Sequence, residues 1–148
     1  MAFAKFSQEH PDLVSPAMVA KSESLVEAHR RSFRRAVEAG VRVAMRTDAG
    51  VGRHGENGQE LQLMVENGMT AMQAIIASTS HAARLLHVED SLGTLEVGKL
   101  ADVILVDADV LSDISKIADP AHVRLVLKAG QAAKNTLNMT VPKMAGLT

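Results

Sequence analysis

A helical pattern, one glycine and an apolar run constrain this chain more than any other stretch. Ser15 and Pro16 supply an N-cap and a first helical residue. Met18, Leu25, Val26, His29, Phe33, Ala36 and Val37 then recur near one face at helical spacing. Gly40 stops the helix as a left-handed cap. Residues 41–46 follow as an apolar run of strand length, ending on Thr47-Asp48-Ala49-Gly50. Helix, tight turn and strand make half of a βαβ unit, which places the strand in a parallel sheet. Such strands need neighbours on both sides and cover on both faces. The upstream sequence holds no second strand of this kind. An open apolar edge pairs with other chains, so self-association into a homo-oligomer is expected.

Asp48 falls at the carboxyl end of that run, where α/β proteins gather ligands and catalytic groups. A turn cap is the competing reading of the same position. The loop that follows carries Gly50, Gly52, Gly55 and Gly58, but no phosphate-binding G-x-x-x-x-G-K-[ST] pattern. Asp48, His54 and Glu56 lie within nine residues of one another. They make a plausible metal corner that needs further ligands from another chain to hold a metal tightly.

Further along, Gln59–Glu66 reads as a short helix with Leu61, Met64 and Val65 on its apolar side. Thr70 and Gln73 form a capping box that opens a longer helical run. Ser78-Thr79-Ser80 marks a break in that run. His81 could reach the site. His87 closes the second helix, where a cation suits the helix dipole. Strands are expected over residues 99–106, 123–127 and 131–134, the last two joined by a turn at Ala129-Gly130. A helical turn is expected over residues 113–118.

Composition excludes several classes of function. With 148 residues the chain supports one domain with a real core, whereas a complete eightfold barrel needs about 250. Net charge is −1 and aromatics are 2%, which argues against nucleic-acid binding and base-stacking platforms. Arg30, Arg31, Arg34 and Arg35 read as a solvated helix face. The chain has no cysteine, so disulfides, thiolate zinc sites and cysteine nucleophiles are absent together. No stretch approaches the 18 or so apolar residues of a membrane span. The expected setting is cytoplasmic, with no membrane partner.

Thr47-Asp48-Ala49-Gly50, His54-Gly55-Glu56-Asn57, Glu60-Leu61, Met64-Val65 and Gly68-Met69-Thr70 together resemble the carboxyl-terminal part of the amidohydrolase superfamily. The nearest branch is that of the imidazolonepropionase and Xaa-Pro dipeptidase-like hydrolases. Leu92-Gly93-Thr94-Leu95-Glu96-Val97-Gly98-Lys99-Leu100-Ala101-Asp102 resembles the segment where that family leaves its barrel for a small β-domain. The resemblance implies an α/β fold. A partial (β/α) barrel segment, comprising the last strand and its helices, would occupy residues 15–90. Strands of the small β-domain would fill 91–135, between an irregular lead-in (1–14) and a tail (136–148).

The resemblance also implies a divalent metal, zinc by expectation, and hydrolysis of an amide, ester or related bond in a small-molecule or peptide-like substrate. Asp48 would be metal ligand and catalytic base, and His54 the substrate contact. His54, Glu56 and His81 are the candidate additional metal ligands, and for His81 the resemblance favours packing or capping. Arg46 stands where the family has glycine. No His-x-His pair occurs, so the match is to the last portion of such an enzyme. The alternative is a non-catalytic, self-associating structural fragment of one.

Overall fold

The computed structural model describes residues 14–47 and 55–141. Helix α1 spans Pro16–Glu38, and the Ser15 hydroxyl accepts the Met18 N–H at 3.3 Å. It ends in a Schellman closure. Gly40 sits at φ 70°, its N–H reaches the Val37 carbonyl at 3.0 Å, and the Val41 N–H reaches Ala36 at 2.9 Å. No residue of α1 is buried. Met18, Leu25 and Val26 are exposed, while Phe33, Ala36 and Val37 are half-covered.

Residues 41–47 correct one expectation. They form no ladder with any described strand. A β-strand requires a neighbour to exchange hydrogen bonds with, and the described sheet lies elsewhere in the fold. The run instead docks on helices. The Met45 N–H donates to the Ala77 carbonyl at 2.9 Å, and the Val43 carbonyl lies 2.9 Å from Nδ1 of His81.

Helix α2 spans Gln59–Glu66, as its apolar side predicts, and buries Leu61 and Met64. Asn67 closes it: its side-chain amide donates to the Leu63 carbonyl at 2.7 Å, and its Oδ1 accepts from Arg34 at 3.4 Å. Helix α3, Ala71–Ser78, opens with the expected Thr70–Gln73 capping box. The predicted break falls at Thr79, whose hydroxyl donates back to the Ile75 carbonyl at 2.7 Å, and α4 follows as Ser80–Leu85. His87 closes α4 in a way that dipole reasoning alone misses. It adopts φ 56°, with its N–H on Arg84 at 3.1 Å and the Val88 N–H on Ala83 at 3.0 Å. A histidine thus takes the left-handed position that glycine usually fills.

Strands β1 (Val103–Val106), β2 (Val123–Lys128) and β3 (Gln131–Asn135) form an antiparallel meander in the order β1-β2-β3. The first starts later than the sequence pattern predicts, because Asp102 turns its N–H back to the Leu100 carbonyl at 2.9 Å. Ala129 and Gly130, at φ 49° and 76°, make a two-residue hairpin turn with both central residues left-handed. Asp102 braces this turn, accepting from the Ala129 N–H at 2.7 Å and from Lys128 Nζ at 2.6 Å.

Between β1 and β2 a 3-10 helix, Ile114–Ala118, sends Ile114 into the core formed by Leu61, Met64, Ala74 and Ala77. The connection between the strands therefore locks the sheet onto the helices. Gly58, just before α2, permits this approach. A Cβ there would lie 2.7 Å from both the Ala118 Cα and the Ile117 carbonyl oxygen. Among the described residues, no helix is long and apolar enough to cross a membrane.

Candidate functional site

Two sequence-predicted site residues, Asp48 and His54, lie outside the described residues. The described structure carries what leads up to them. Thr47, the last described residue before Asp48, is half-buried. The backbone ahead of it is held at two points by α3 and α4, through Ala77 and His81. A carbonyl oxygen only accepts hydrogen bonds, so Nδ1 of His81 carries the hydrogen in this contact. In the neutral ring that fixes the tautomer and leaves Nε2 as the acceptor. His81 thus does what its packing or capping role predicts: it ties the 41–47 run to α4.

Glu56 is half-buried and has an interaction partner within the fold, so it is not a free donor. Its carbonyl accepts the Gln59 N–H at 3.0 Å, starting the turn into α2. Among the described residues, no group of three or more His, Cys, Asp or Glu side chains is arranged to hold a metal ion. Glu56 and His81 therefore do not assemble a metal centre with other described donors.

A groove of about 360 Å³ opens between α1 and α2, lined by Leu25, Val26, Phe33, Leu63 and Met64 with Glu60 and His29 at its polar side. Burial pushes the Glu60 carboxyl above its ordinary value, and the neighbouring His29 partly offsets this. Helical periodicity placed His29 on a packing face. Glu60 and His29 are 31 positions apart in sequence, so no local spacing could have signalled that they share a groove.

A family model described as "Amidohydrolase family" matches residues 4–133. The ochratoxinase of Aspergillus niger is 37% identical over 117 residues, covering 78% of this chain and 24% of its own length. The imidazolonepropionase of Alkaliphilus oremlandii is 31% identical over 125 residues, covering 81% of this chain and 29% of its own length. A crystal structure of a Xaa-Pro dipeptidase with methionine bound in its active site superimposes with a TM-score of 0.77 and 40% identity, over 90% of this chain and 33% of that one. The chain therefore spans about a quarter of the length of the ochratoxinase and about a third of the Xaa-Pro dipeptidase chain.

Proposed function

The chain belongs to the amidohydrolase family, and on that premise we propose that it supplies the Asp48-bearing portion of a metal-dependent hydrolase acting on an amide, ester or related bond. Hydrolase relatives support the class of reaction. The family typically binds a divalent metal. Zinc is the metal proposed here, with association between copies completing the site and the cytoplasm as its compartment.

In this proposal Asp48 takes the proton of the attacking water and His54 contacts the small-molecule or peptide-like substrate. An ionised carboxylate can accept a proton as general base. The observation that carries the proposal is the anchoring of residues 41–47 on α3 and α4. Both contacts fall within four residues of Thr47, so the backbone ahead of Asp48 is fixed without a surrounding sheet. Because no group of three or more described donors is arranged to hold a metal, a complete site needs ligands from residues outside the described ones or from another chain.

The test is hydrolysis of Xaa-Pro dipeptides and chromogenic amides and esters by the purified chain across a range of protein concentrations, with zinc, manganese or cobalt added. The expected result is a rate per chain that rises as copies associate and that Asp48→Asn abolishes without loss of helical signal. No metal-stimulated hydrolysis at any concentration, or full activity in Asp48→Asn, refutes it. In the first case the chain is the non-catalytic structural fragment.

A further inference from the structure

Two of the four asparagines stand directly before a glycine, as Asn57-Gly58 and Asn67-Gly68. The backbone nitrogen of the following residue can attack an asparagine side-chain amide. Glycine presents that nitrogen with no Cβ to crowd it. By local sequence the two sites are equivalent, and the fold separates them.

Asn67 is buried at the end of α2. Its side-chain amide donates to the Leu63 carbonyl at 2.7 Å, and its Oδ1 accepts from Arg34 at 3.4 Å. The Gly68 nitrogen is also committed, donating to the Val65 carbonyl at 3.1 Å. Attack there requires the closure of α2 to come apart. Asn57 lies at the other end of the same helix and is exposed. Among the described residues none hydrogen-bonds its side chain. Gly58 precedes the first residue of α2, so its N–H has no carbonyl partner within the helix. Rotation of Asn57 towards that nitrogen opens only the turn made by the Gln59 and Glu60 N–H groups, at 3.0 and 3.2 Å. Opening at a helix end costs less than opening a buried closure.

We propose that Asn57 is a site of spontaneous deamidation, and that its isoaspartyl product loosens the junction between α2 and the 3-10 helix. The Gly58 nitrogen bonds to Cγ of Asn57. The Cγ–Nδ2 bond breaks, and ammonia leaves with the Gly58 amide proton. Water then opens the resulting succinimide at either carbonyl, to aspartate or to isoaspartate. No metal, oxidant or enzyme enters the balance, so the reaction is independent of the hydrolase proposal.

The two products differ in what they do to the fold. Aspartate leaves the backbone unchanged and places a carboxylate at the amino end of α2, where the helix dipole favours it. Isoaspartate routes the main chain through the former side chain, adding a methylene just ahead of Gly58. Gly58 cannot take up that shift towards the 3-10 helix. Even a Cβ on it would lie 2.7 Å from the Ala118 Cα and 2.7 Å from the Ile117 carbonyl oxygen.

The test incubates the purified chain at mildly alkaline pH, folded and in urea, and follows both asparagines by peptide mass spectrometry. Isoaspartate is counted by enzymatic methylation of its free carboxylate. In the folded chain the Asn57 product should accumulate at least about tenfold faster than the Asn67 product, because only Asn67 waits on a buried opening. In urea the two sites should react alike. The isoaspartyl fraction should unfold at a lower urea concentration than fresh protein, while freshly purified Asn57→Asp keeps the wild-type midpoint. Equal rates at the two sites in the folded chain, or no product at Asn57 while the unfolded chain reacts, overturns the proposal. So does an isoaspartyl fraction as stable as fresh protein. An equal loss of stability in Asn57→Asp would assign the effect to charge and overturn the backbone argument.

Discussion

Replacing Gly58 by alanine sets two physical effects of opposite sign against each other. Gly58 has φ −62° and ψ −22°, a conformation that alanine adopts freely. Local reasoning therefore expects stabilisation, about 0.4–1 kcal/mol from a less flexible unfolded chain. The tertiary structure expects the reverse. The new Cβ would sit 2.7 Å from the Ala118 Cα, 2.7 Å from the Ile117 carbonyl oxygen and 3.0 Å from the Ala118 N.

All three neighbours are backbone, so no side chain can swing aside. Either α2 or the 3-10 helix has to retreat by several tenths of an ångström from a core that Ile114 shares with Leu61 and Met64. Overpacking of this kind costs about 1–3 kcal/mol. The net expectation is a loss of about 1–2 kcal/mol. With a urea slope of about 2 kcal/mol per molar, the unfolding midpoint should fall by roughly 0.5–1 M. The assay is urea unfolding followed by circular dichroism on wild type and Gly58→Ala. An unchanged or higher midpoint would refute the claim that this glycine exists to let the sheet connection close on α2.

Other substitutions probe the remaining contacts. His81→Ala should cost about 0.5–1.5 kcal/mol for the lost bond to the Val43 carbonyl and should speed amide exchange at Met45; exchange that stays as slow as in wild type would count against the anchoring. Thr70→Ala should lower stability by about 1 kcal/mol through the broken capping box, measurable as a lower urea midpoint, and an unchanged midpoint would mean the box contributes nothing. The Asp107 carboxyl is held below its ordinary value by hydrogen bonds from His122 and Arg124. Its stabilising contribution is therefore present above pH 3.8 and is lost as pH falls through the lower folded value. Thermal midpoints of wild type and Asp107→Asn should accordingly converge in acid, and a gap that persists to the lowest pH would sink that assignment.

Where a structural signal lies within a few residues, the sequence carried it clearly. Gln59–Glu66, the Thr70–Gln73 box, the break at Thr79 and the Ala129-Gly130 turn are all dictated by neighbours along the chain. Features set by distant partners were not legible. The run 41–46 has a strand's composition, yet strand identity depends on a neighbour that the described chain does not supply. His87 looked like a dipole-satisfying cation, and the backbone made it a left-handed cap. Gly58 read as one of several loop glycines until Ala118 came to lie against it. At the candidate site, the order of Asp48, His54 and Glu56 pointed to the family that the comparisons bear out. The use of His81 as a tie to Val43 required a contact across 38 positions.

Metal content per chain tests the central claim most directly. Protein purified without chelators or a histidine tag would be separated into monomeric and associated fractions, and each analysed for zinc, manganese and iron beside Asp48→Asn. The account expects stoichiometric divalent metal in the associated wild-type fraction and its loss in both the monomer and Asp48→Asn. Metal-free protein in every fraction, or metal retained undiminished by Asp48→Asn, would contradict it.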